Sequence, residues 1–147
     1  MSQLVDTSEA VYGVLDGAPA ATFSQEFDVL LRRYRPSEVV ASSLTGVSVY
    51  VYPWSREQTN QTRGSVTEEV RLAVEILAPA TPSQTDVIDG LMELTSEIGD
   101  YLIQTRLATG GMCTAVTNDP PFDGVALETK NIFRSLQMIT YKQARSI

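Results

Sequence analysis

VSVYVYPWSREQTNQTRGSVTEEVRLAVEIL, residues 47–77, decides how this chain folds. Val47, Val49 and Val51 fall on one side of a period-two pattern, and Tyr50, Tyr52 and Trp54 fall on the other. Apolar groups on both sides mark a central strand, or one whose second face is covered by another subunit. The chain returns with Val66, Val70, Leu72, Val74 and Ile76 alternating with Thr67, Glu69, Arg71 and Glu75. Together the two runs form a hairpin with a long arm. Between them, SREQTNQTRGS (55–65) holds no aliphatic residue and reads as an extended polar hairpin loop, mobile in the free subunit. Loops of that length in a compact domain are usually functional or disordered. Arg56, Glu57, Gln58, Asn60, Gln61 and Arg63 are therefore the candidate contacts for a partner.

Downstream lies the clearest helix signal. Thr81 can act as N-cap, Pro82 suits the first helical position, and Gln84 falls three residues after the cap, which is the capping-box arrangement. The apolar stripe is Val87, Leu91, Leu94, Ile98, Tyr101 and Leu102, and Gly110-Gly111 lies past the end. Extended to Leu107, such a helix is about 39 Å long. Gly90 and Gly99 each cost it about 1 kcal/mol relative to alanine, a loss that close packing on a sheet can offset. Its outer face carries Asp86, Asp89, Glu93, Glu97 and Asp100 at spacings of three and four. That stacking has three readings: a solvated face, a charged channel lining or subunit interface, or a hard-cation or acid–base site.

Upstream, Leu4, Val11, Val14, Leu15 and Ala18 share a helical face that Gly17 and Pro19 end. From Thr22 to Tyr34 the period becomes two, with Phe23, Phe27, Val29 and Leu31 on one side, which predicts a half-buried strand. SEVVASSL (37–44) suggests one or two helical turns. After the long helix, CTAVT is a short strand, NDPPFDGVALE a proline-rich connection, and NIFRSLQMITYKQ a closing strand. The expected class is α+β: one domain over residues 1–147. A mostly antiparallel or mixed sheet of four to five strands packs against an N-terminal helix and one long helix.

At 147 residues and 43% hydrophobic, the chain can bury a core without disulfides or metal. No apolar run approaches the ~20 residues that span a bilayer. The N-terminus lacks the basic start and apolar stretch of a signal peptide, which points to a cytoplasmic origin. Histidine is absent and Cys113 is the only cysteine, so Ser–His–Asp and Cys–His nucleophilic sites are excluded and no intrachain disulfide can form. No phosphate-cradling glycine motif is present. The net charge of −7 opposes a phosphate-neutralising surface. The one tight basic cluster, Arg32, Arg33 and Arg35, more readily pairs with acidic neighbours or solvates a strand end. A non-enzymatic chain without cofactor or metal is the expectation.

Taken whole, the sequence resembles the tail terminator (tail completion) proteins of long-tailed bacteriophages. The segments that carry the likeness are the N-terminal helix, TFSQEFDVLLRRYRP, LTGVSVYVYPWSREQTNQTRGSVTEEVRLAVEIL, VIDGLMELTSEIGDYLIQTRL and KNIFRSLQMITYK. Such proteins look like this in apolar spacing rather than in fixed chemistry. The resemblance implies a virion protein of the tail or neck, assembled in the host cytoplasm. It would form a homo-oligomeric, hexameric ring on the tail tube protein below, stop tube growth, and join the head connector or stopper protein above. DNA would pass through the lumen without specific binding, and acidic groups there, those of the long helix included, would repel rather than retain it. The alternatives are a head-completion or connector protein of the same particle, which also forms rings, and a metal-dependent enzyme using the acidic helix face.

Overall fold

The computed structural model describes residues 3–19, 21–35, 45–62, 64–107 and 111–146. Its elements run α1 (Gln3–Asp16), β1 (Asp28–Leu31), β2 (Ser48–Thr62), β3 (Ser65–Pro79), α2 (Thr85–Gln104), β4 (Met112–Thr117), α3 (Gly124–Lys130) and β5 (Ile132–Ser146). The strands form one mixed sheet in the order β1-β2-β3-β5-β4, with β1 parallel to β2 and every other neighbour antiparallel. This is the expected α+β class. The anticipated turns at 37–44 lie outside the described residues.

Alternation does in the sheet what the sequence implies. Val49, Val51, Val70, Leu72, Val74, Ile76, Ile139 and Tyr141 are buried and share one face, since register pairs point the same way. Helix α1 closes the β1–β3 side of that face with Val11 and Leu15, and α2 closes the β4–β5 side with Leu91, Leu94, Ile98 and Leu102. Phe23 joins the two halves, lying edge-on to Phe27 (5.2 Å) and to Tyr101 of α2 (5.4 Å).

Residues 55–62 depart from expectation. They are not a loop: they continue β2, paired with β3 through Ser55↔Arg71, Glu57↔Glu69 and Thr59↔Thr67 to Thr62↔Ser65. Arg56, Glu57, Gln58 and Thr59 are exposed there, so the segment needs no aliphatic residues and shows none of the periodicity that betrays a half-buried strand. The ladder satisfies the backbone groups that turn toward β3. The connection is tight, and Gly64 takes the positive φ of 97° that it requires. One extra residue, Trp54, interrupts the register between Pro53 and Ser55.

The predicted strand from Thr22 is real only over Asp28–Leu31. Its first half is tethered elsewhere: the Ser24 N–H and Oγ donate to Glu97 (2.9 and 2.7 Å), and Gln25 Nε2 donates to the Gly90 carbonyl (3.1 Å). Helix α2 begins at Thr85 rather than beside Thr81. Gln84 Oε1 does accept from the Thr81 N–H (2.9 Å), but the Thr81 hydroxyl meets Ser83 Oγ, so these residues close a turn ahead of the helix. At 20 residues the helix is about 30 Å long. Ile88, not Val87, enters the core, and Val87 stays 42% exposed. Helix α3 arises within the supposed connection, where the Asp123 carboxylate caps the N–H groups of Val125 and Ala126 and Asn131 ends it in the left-handed region.

Candidate assembly interface

Both flanking strands stop short. β1 accompanies β2 only from Ser48 to Val51, and β4 accompanies β5 only from Met138 to Lys142. Beyond the row Glu57–Glu69–Lys142 the sheet narrows to an arm of three strands, β2, β3 and β5, paired to Thr62, Ser65 and Ser146. Four further rows of β3 make that arm about 14 Å long. At its root Glu69 bridges Arg71 (3.0 Å) and Lys142 (3.6 Å), and Arg56 stands 3.5 Å from the buried Glu68.

The sheet face away from the helices carries a buried ionic cluster. Glu75, fully buried, accepts from Arg134 (Nε to Oε2 2.7 Å), from Arg35 (2.9 Å) and from the Tyr52 hydroxyl (3.1 Å). Burial alone would raise the Glu75 pKa, but hydrogen bonds and charge from Arg134 and Arg35 outweigh it and hold the carboxyl below its ordinary value. The same hydrogen bond to Glu75 raises the Arg35 pKa, while burial and the adjacent carboxylate push Tyr52 up. A carboxylate so fully occupied by donors is a poor general base. The cluster instead fixes β2, β3, β5 and the chain after β1 to one another. Beside it runs a groove of about 660 Å³ with Phe122, Val125, Leu136 and Met138 along its walls.

Among the predicted partner contacts, Arg56, Glu57 and Gln58 are exposed along the outer strand of the arm, Asn60 and Gln61 belong to the same strand, and Arg63 lies outside the described residues. The acidic face is only partly free. Asp86, Asp89, Glu93 and Asp100 are exposed on α2, but Glu97 is engaged with Ser24. Among the described residues no group of three or more His, Cys, Asp or Glu side chains is placed to hold a metal. Arg33 pairs with Glu9 (3.2 Å), Arg35 with Glu75, and Arg32 lies 5.6 Å from the centre of the Tyr50 ring, so the basic cluster serves the fold.

Two features were not readable in advance. Glu75 and Arg134 look like ordinary outward residues of alternating strands, and only the register places them together; an isolated charge within LAVEIL is the one hint. Trp54 (48% exposed), Met112 (52%) and Val125 (71%) leave apolar surface on the molecule, which composition alone cannot locate.

No protein-family model matches the chain, and no curated protein matches it. Solved structures do. A chain of the virion of a native gene transfer agent particle superposes with a TM-score of 0.55 at 13% identity, covering 97% of this chain and 98% of that one. A sheath/tube terminator of an extracellular contractile injection system, in the extended state, gives a TM-score of 0.49 at 14% identity, covering 100% of this chain and 58% of that one. At such identities the gene transfer agent likeness establishes a shared fold. Among the described residues no helix is long and apolar enough to cross a membrane.

Proposed function

We propose that this chain is a structural virion protein that closes into a hexameric ring on the end of a phage-type tail tube, ends tube growth and receives the head connector. The observation that carries the reading is the fold shared with a chain of a gene transfer agent virion over 97% of this chain and 98% of that one. Supporting it, the buried Glu75 carboxylate is saturated with donors, as suits a frame rather than a reaction centre. The polar arm projects beyond the core, where a neighbouring ring can reach it. Asp86, Asp89, Glu93 and Asp100 add to a net charge of −7, and such a surface repels DNA that must slide past.

Native mass measurement, alone and with purified tail tubes, tests this directly. A hexamer, or a monomer that closes into one on tube ends and stops their elongation, is the expected result. A twelve-membered ring that ignores tubes would assign the chain to the head connector instead.

A further inference from the structure

The two edges of the sheet match each other. Arg32 donates its N–H to the Val51 carbonyl, so Val51 directs its backbone away from β3, and its register partner Val74 directs its own toward β5. Carried along the ladder past Trp54, this places the backbone groups of Arg56, Gln58 and Asn60 on the outer side of β2, where no described strand pairs with them. Carried the other way, through Val70↔Tyr141 and Cys113↔Tyr141, it places those of Cys113 and Val116 on the outer side of β4. Arg56, Gln58, Cys113 and Val116 also share the helix-bearing face of the sheet.

Each edge carries a bulge, at Trp54 in β2 and between Cys113 and Ala115 in β4, but little charge. From Met112 to Thr117 β4 carries no charge and no proline, and from Ser55 to Thr62 the only charges of β2 are Arg56 and Glu57. Pro53, which has no N–H to offer, sits at the point where β1 ends. Directions agree as well: β2 runs parallel to β5 and opposite to β4. A second copy rotated about an axis along the strands therefore presents its β4 antiparallel to this β2.

We propose that the outer edge of β2, Arg56 to Asn60, pairs as an antiparallel strand with β4, Met112 to Thr117, of a second copy of this chain. Because the two edges differ, the contact is head-to-tail and repeats from copy to copy until the assembly closes. The inference rests on the ring reading above and specifies how its copies join.

The native thiol provides the test. In an antiparallel pair, facing Cα atoms lie about 5.5 Å apart, within disulfide reach. Arg56→Cys, Gln58→Cys and Asn60→Cys are each oxidised with copper phenanthroline, with and without Cys113→Ser. The expected result is that at least one variant gives a ladder of covalent oligomers up to the native mass, and that with Cys113→Ser no cross-linked species remains, dimers included. Disulfide dimers that persist with Cys113→Ser, formed through the introduced cysteine alone, or a native oligomer in which none of the three variants cross-links, overturn the edge pairing while leaving the ring reading standing. A chain that stays monomeric at its solubility limit, even with tail tubes present, overturns both. Gln58→Pro supplies a second measure: the lost N–H faces away from β3, so the thermal midpoint of the subunit should hold while association weakens about tenfold. Unchanged association counts against the proposal.

Discussion

Glu75 ties β2, β3, β5 and the chain after β1 into one cluster. It brings one negative charge to two guanidiniums, and Arg134 is the more deeply placed of them, 15% exposed against 46% for Arg35. Glu75→Gln keeps the shape but removes the negative charge that Arg134 and Arg35 share, and urea unfolding should show a loss of about 3 kcal/mol. The folded-state pKa of Glu75 is lowered, so its stabilisation is complete above the ordinary glutamate value of about 4.3 and fades as pH falls below that toward the lowered value. Wild-type stability should therefore drop across that acid range, and the Glu75→Gln variant should lack this part of the slope. Gly99 and Gly90 make a second contrast. A Cβ on Gly99 would stand 2.9 Å from Gln137 Nε2 and 3.1 Å from Val116 Cγ1, and that Nε2 is held by the Thr95 carbonyl at 2.8 Å. Gly90 meets only Gln25 Nε2 at 3.7 Å. Gly90→Ala should raise stability by about 0.5–1 kcal/mol, whereas Gly99→Ala should lower it despite the gain in helix propensity.

At the level of elements, the carboxylates of α2 divide by role although their spacing makes them look alike. Glu97→Ala frees Ser24 and should cost about 1 kcal/mol, while Glu93→Ala, on the exposed face, should leave thermal unfolding nearly unchanged. The period-two runs of β2 and β3 and the 3.6-residue stripe of α2 were legible because one face of each meets the core. The outer half of β2 was not, because hydrophobic periodicity records burial and that half buries no aliphatic side chain. Helix α3 was hidden for a different reason: seven residues make too short a stripe to detect, and its best signal was the Asp123 cap paired with Asn131 at the far end. The full extent of β1 was overestimated because Phe23 keeps the alternation while its neighbours Ser24 and Gln25 bind α2. Of the candidate surface, the polar character of residues 55–62 was legible and their strand pairing was not. The ionic cluster depended on register, which no local pattern carries.

For the whole molecule, the arm is the part that can meet a neighbour without disturbing the core. Replacing Thr59–Thr67 with an Asn-Gly turn keeps the Gln58↔Glu68 pair, so the subunit should fold while tube capping and head joining fail in a particle assembly assay. Charge reversal at Glu93 and Asp100 should leave ring formation intact and slow DNA delivery if the acidic face looks into the lumen. The extra residue at Trp54 ties these scales together, because a pleated strand converts chain length into orientation. A residue added into a paired ladder exchanges inner for outer in everything that follows, unless a bulge absorbs it. Trp54 thus acts as a half-period phase shift: were it paired in an unbroken ladder, Glu57 and Thr59 would take the open edge, and Arg56 and Gln58 would turn inward toward β3. The surface this arm offers is set by parity as much as by side-chain chemistry: deleting Trp54 closes the bulge and keeps Ser55↔Arg71 and Arg56↔Val70, so association should persist in that variant.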